Sequence, residues 1–215
     1  MKKFNLEENK YFKPIRKNKV IGLAYNYKSL VDKKNNFDEP LIFLKSNTSI
    51  IFNNQNIILP KNFKKTWIEA ELCIIVKKEA KNVPASKAKD YIFGFTCGND
   101  VTSENIYNRD WHLARSKALD TFAPLGPNLV SNIDTTNLKI KSFINGKITQ
   151  NSFTNDRILI DYECLELVSK YMTLYPGDII FTGTPAGATD AIIKVGDEVI
   201  IEIENVGKLM NKVSN

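Results

Sequence analysis

Histidine occurs once in this 215-residue chain and cysteine three times, at Cys73, Cys97 and Cys164. The cysteines are widely spaced, odd in number and form no C-x-x-C pair. That argues against a disulfide framework or a zinc knuckle and fits small, buried free thiols in a reducing compartment. No apolar run approaches the roughly 18 residues a membrane span needs, so no membrane partner is expected. The N-terminal stretch MKKFNLEENKYFKPIRK lacks an apolar core and does not read as a secretory signal, which makes the cytoplasm the expected location. Neither G-x-G-x-x-G nor G-K-[ST] is present, so a Rossmann or Walker phosphate loop is excluded.

The 43% hydrophobic and 25% charged fractions are ordinary for a globular chain. The length suits one sizeable core with an elaborated rim. We divide it into an N-terminal extension, 1–19, and a single domain, 20–215. The net charge of +6 comes from lysines scattered through a Lys/Asn-rich background. No basic run is interleaved with aromatic residues, so a nucleic-acid partner is not expected. An anionic small substrate suits the charge without being established by it.

Period-2 patterns prevail. KVIGLAY reads as a strand entering a loop, PLIFLKS and NIILP as two short strands, and EAELCIIVKK as the longest strand. PASKAKDYIFGFTCGNDVT reads as a helical turn followed by a strand ending at Asn99-Asp100. Residues 103–117 are expected to hold a short helix and a loop. LKIKSFINGKITQNSF alternates around Asn145-Gly146, a type I′ hairpin signal. Ile158, Tyr162, Leu165, Val168 and Met172 recur at helical spacing, with Asn155 or Asp156 as the N-cap. A buried strand and a glycine-containing loop (YPGDIIFTGTPAG) and a closing strand pair complete an α+β, β-dominated mixed fold.

Glu69 and Glu71 interrupt an otherwise apolar run, WIEAELCIIV. In a strand they share one face, with Cβ atoms roughly 7 Å apart. Buried together they would repel, and a divalent cation removes that cost. A strand with one solvated face is the alternative reading. Asp100, at the end of another apolar strand, adds a third carboxylate. The set is oxygen-only, which suits Mg²⁺ or Mn²⁺ and not Zn²⁺. Three ligands leave positions open for water and substrate.

Seven segments, IGLAYNY, PLIFLKSNTSI, EAELCIIVKK, DYIFGFTCGNDVT, SKALDTFAPLGPNLV, YPGDIIFTGTPAG and VGDEVIIEIENVGKLMN, occur in the order found in the fumarylacetoacetate hydrolase family, which the chain therefore resembles. The resemblance spans residues 20–212. It looks closest to the 2-hydroxyhepta-2,4-diene-1,7-dioate isomerase / 5-carboxymethyl-2-oxo-hex-3-ene-1,7-dioate decarboxylase branch. It implies a mixed β-sandwich roll, a homodimer, and Mg²⁺ or Mn²⁺ held by Glu69, Glu71 and Asp100. It also implies that Lys117 faces the substrate and that Thr184 contacts a substrate carboxylate. Without the resemblance, Lys117 reads more simply as solvated and Thr184 equally well as part of a turn. Arg109 and Arg115 are candidates for a second substrate carboxylate, with plain solvation as the alternative.

The chain departs from the family pattern where the hydrolases carry a water-activating His and Glu. Leu30 and Lys33 stand there. Glu104 and Tyr107 replace the usual Arg and Gln after the metal Asp, and the lone His112 reads as structural in a segment that could border the site. The expectation is a divalent-metal-dependent isomerase, tautomerase or decarboxylase of small 2-oxo (di)carboxylic acids, acting through a metal-stabilised enolate. A C–C hydrolase with a replacement base and a catalytically idle binding dimer are the alternatives.

Overall fold

Alternating and continuous apolar segments pair into sheets in the computed structural model, which describes residues 1–8, 18–31 and 39–215. In chain order the first strands are β1 (Lys2–Asn5), β2 (Val20–Ala24), β3 (Leu41–Lys45), β4 (Ile50–Phe52) and β5 (Asn56–Ile58). Then come β6 (Thr66–Trp67), β7 (Ala70–Val76), β8 (Ile92–Asn99), β9 (Thr102–Ser103) and β10 (Ala123–Ser131). The last are β11 (Lys139–Ile144), β12 (Lys147–Phe153), β13 (Ile179–Phe181), β14 (Glu198–Ile203) and β15 (Gly207–Ser214). Helices α1 (Ala85–Ala88), α2 (Ala114–Lys117) and α3 (Asp161–Tyr171) are interspersed.

Among the described residues, an eight-stranded sheet runs β1-β10-β8-β7-β13-β2-β3 with β4 beside β10. A five-stranded sheet runs β12-β11-β14-β15-β5, and β6 pairs with β9. The architecture is strand-dominated α+β, as expected. β7 lies inside the large sheet and is buried along its whole length. That is why its sequence is a nearly unbroken apolar run. Ala70, Leu72 and Ile74 join a core shared with Ile140, Val199, Ile201 and Leu209 of the second sheet and Leu165 and Val168 of α3. Cys73 and Ile75, on the opposite face, pack with Leu125, Leu129, Ile179 and Phe181. Leu72 is fully buried, so Leu72→Ala should lower stability by about 2–5 kcal/mol. A denaturant midpoint within experimental error of the unmodified protein would contradict this assignment.

The hairpin is borne out: Ile144 pairs with Lys147, and Asn145 and Gly146 have φ of 49° and 77°. Two expectations need correction. β7 is not the longest strand, since it has seven residues and β10 nine. A register shift between Ile75 and Val76 ends its regular ladder before the two lysines. The long helix begins at Asp161, and Asn155 and Asp156 lie in a 3₁₀ turn. The intervening chain is held by Asn26: its carbonyl accepts the Ile158 N–H (2.8 Å) and its Oδ1 the Leu159 N–H (2.8 Å). The helix then starts where the Glu163 carboxylate accepts the Ile160 N–H (2.8 Å). Ile158 therefore lies outside the helical stripe, 39% exposed.

Candidate active site

Antiparallel β7 and β8 place Ala70 opposite Asn99. The residue before β7, the second residue within it and the residue after β8 therefore meet at one end of the pair. These are Glu69, Glu71 and Asp100, and their carboxylates offer oxygens that all lie within 4.8 Å of one another. The backbone locks the corner: Asp100 N–H donates to the Glu69 carbonyl (3.0 Å), and Glu69 N–H to Asn99 Oδ1 (3.1 Å). Trp67 Nε1 donates to Glu69 Oε1 (2.8 Å) and Gly183 N–H to Glu71 Oε2 (2.6 Å). Gly183 has φ of +95°, and a Cβ there would lie 2.9 Å from Asn26 Cβ. A larger residue could not present that amide without strain.

Two buried lysines face the acids. Lys117 Nζ pairs with Asp100 Oδ2, lies 3.2 Å from Glu69 Oε2 and donates to Thr102 Oγ1 (2.7 Å). Lys45 pairs with the other Asp100 oxygen and donates to the Val101 carbonyl (3.2 Å). Burial pushes the Asp100 carboxyl up, but Lys117 and Lys45 together outweigh it and hold Asp100 below the usual range. Lys117, pushed down by burial, is held above its usual value by Asp100 and Glu69. Burial lowers Lys45, with Asp100 as a partial offset. Burial raises Glu69 against the pull of Lys117. Burial, then Asp100 and Glu69, raise Glu71 well above the carboxylate range. An all-oxygen donor set whose mutual repulsion is only partly cancelled fits a hard divalent cation. The three carboxylates could therefore hold a metal ion, whereas a solvated strand face is excluded by their burial.

Glu69 and Glu71 floor a cleft of about 380 Å³ that Lys117, the partner of Asp100, and Thr184 also line. Its walls include Tyr25, Leu30, Trp111 and Leu113. Arg109 and Arg115 are exposed and lie outside the lining, as does exposed His112, although its neighbours Trp111 and Leu113 belong to it. Lys33 falls outside the described residues. The Glu104 carboxylate accepts the Lys64 N–H, and Tyr107 is 83% exposed; neither lines the cleft. Sequence reasoning assigned no role to Lys45, Asn26 or Gln150. For Lys45 there was a signal: a lysine ending an apolar strand, in phase with the inward-facing Phe43. Asn26 lies just past the end of a strand and Gln150 among polar neighbours, and neither carries such a pattern.

A family model described as "Fumarylacetoacetate (FAA) hydrolase C-terminal" matches residues 19–214. An uncharacterised protein of Methanocaldococcus jannaschii is 42% identical over 205 residues, covering 94% of this chain and 86% of that protein. The mitochondrial oxaloacetate tautomerase of Rattus norvegicus is 37% identical over 214 residues, covering 92% of this chain and 67% of the relative. The crystal structure of 2-hydroxyhepta-2,4-diene-1,7-dioate isomerase from Mycobacterium marinum superposes with a TM-score of 0.85 at 39% identity, covering 94% of this chain and 76% of that one.

Proposed function

The chain belongs to the fumarylacetoacetate hydrolase family, and on that premise we propose that it is a divalent-cation-dependent isomerase, tautomerase or decarboxylase of small 2-oxo mono- or dicarboxylic acids. Tautomerisation is the leading reaction. The observation that carries it is the contrast between floor and wall of the cleft. The floor presents Glu69, Glu71 and the Lys117 ammonium, with Asp100 buried behind them as the partner of Lys117, whereas the wall presents Leu30 where hydrolases of the family carry a histidine. Among the described lining residues there is no histidine, and the only carboxylates are those of Glu69 and Glu71. C–C hydrolysis needs a base to activate water. Moving one proton between the enol oxygen and the adjacent carbon needs less.

Mg²⁺ or Mn²⁺ held by Glu69, Glu71 and Asp100 would supply a Lewis acid that polarises the 2-oxo oxygen. The Lys117 ammonium offsets negative charge that grows on that oxygen as the carbon-bound proton passes to a water molecule and before a proton is returned to the oxygen. Thr184 binds the substrate carboxylate, and the apolar wall limits the access of water. We assign this chemistry to residues 20–215, working as a cytoplasmic homodimer.

Oxaloacetate, the substrate named for the rat relative, is the first compound to test. With Mg²⁺ or Mn²⁺, decay of enol absorbance should be accelerated far more than cleavage of an acylpyruvate, with pyruvate and CO₂ release followed separately. Acylpyruvate cleavage as fast as enol decay would overturn the tautomerase reading and restore a hydrolase. CO₂ release matching enol decay would identify a decarboxylase.

A further inference from the structure

The Gln150 side chain of β12 reaches from the second sheet to the rim of the cleft and is only 2% exposed. Its Oε1 accepts the Ala70 N–H (2.9 Å), and its Nε2 donates to the Pro185 carbonyl (2.9 Å) and to Thr184 Oγ1 (2.8 Å). The amide cannot be reversed. A backbone N–H only donates and a backbone carbonyl only accepts, so Ala70 takes the oxygen end and Pro185 the nitrogen end. Thr184 Oγ1 therefore accepts a hydrogen bond from Gln150, and its own single proton must point elsewhere. Among the described residues no protein acceptor takes it, and Thr184 lines the cleft that Lys117 also lines.

We propose that Gln150 is a positioning residue that fixes Thr184 as a hydrogen-bond donor to a substrate oxygen. The same amide ties Ala70, between Glu69 and Glu71, to the loop carrying Thr184. With the Gly183 N–H bond to Glu71, the Gln150 side chain thus holds floor and oxygen-binding hydroxyl at one spacing. The ligand class that follows is an anion with acceptor oxygens and no donor at that point. This inference rests on the 2-oxo acid reading above, whose carboxylate meets the description.

Oxalate, a planar dianion related to the enolate of a 2-oxo acid, is the probe, titrated calorimetrically with Mn²⁺ present. Gln150→Met should weaken oxalate by at least about tenfold, the scale of a lost hydrogen bond to a charged group. Mn²⁺ affinity should change little. Gln150→Leu, of similar volume and equally without a donor, should give the same loss, and it decides the matter where the Met variant folds poorly. Thr184→Val should weaken oxalate to a similar extent and Thr184→Ser should not. The decisive measurement is the double substitution: in a Thr184→Val background, changing Gln150 should cost nothing further. A purely structural Gln150 would give additive losses, and that result, or unchanged oxalate affinity in the Gln150 variants, overturns the inference alone. Failure of the unmodified protein to bind oxalate with Mn²⁺ overturns the 2-oxo acid reading and this inference with it.

Discussion

Replacing Glu71 with alanine is expected to weaken Mn²⁺ binding by at least about a hundredfold, beyond the 10–100-fold typical of losing only an outer-shell partner. Glu71 is 1% exposed, and one of its oxygens is already aimed by the Gly183 amide. Its loss leaves two carboxylates, one of which is shared between Lys45 and Lys117. Binding to the unmodified protein should also weaken as pH falls. Glu71 has its pKa raised by burial and by Asp100 and Glu69, so below that raised value it carries a proton which the cation must displace. In calorimetry the alanine variant should lose both the affinity and the thermal stabilisation that Mn²⁺ confers. Affinity within threefold of the unmodified protein would remove Glu71 from the ligand set.

The second large effect is expected at Lys117. Lys117→Met should lower turnover by about two orders of magnitude, the usual reach of one electrostatic contact to a developing oxyanion, while Mn²⁺ still binds. The ammonium touches Asp100 and Glu69 themselves. It competes for the oxygens that would hold the cation, so Mn²⁺ affinity in the variant should equal or exceed that of the unmodified protein. Without the cation the variant should melt earlier, because Lys45 alone then faces buried Asp100, an incompletely paired interior charge. Adding Mn²⁺ should recover the difference. Turnover within a few-fold of normal would reduce Lys117 to a counter-ion of the carboxylates.

Much of the site was legible because its chemistry conflicts with its surroundings. Carboxylates inside an apolar run announce a partner, and the period of two is enough to put Glu69 and Glu71 on one face. The Asn-Gly hairpin was equally legible, since positive φ at two successive residues is a local demand that few dipeptides meet. Where a helix begins is less local. Asp156 is a good cap by composition, yet Asn26, 130 positions earlier in the chain, holds residues 158 and 159 and delays the helix to Asp161.

The order of residues suffices for the oxygen donor set, the strand-dominated class and the absence of a histidine at position 30. Which cations meet those donors is a matter of tertiary pairing. Lys45 and Lys117 are 72 positions apart and converge on the two oxygens of one carboxylate. Arg109 and Arg115, which are closer to Lys117 in sequence, are left outside the cleft lining. The physical reason is that sequence spacing fixes which face a residue occupies within its own element, whereas pairing between distant strands fixes what that face looks upon. Gln150 makes the same point from the second sheet. Nothing in KITQNSF marks its glutamine, and its role exists only because β12 lies across from Ala70 and Thr184.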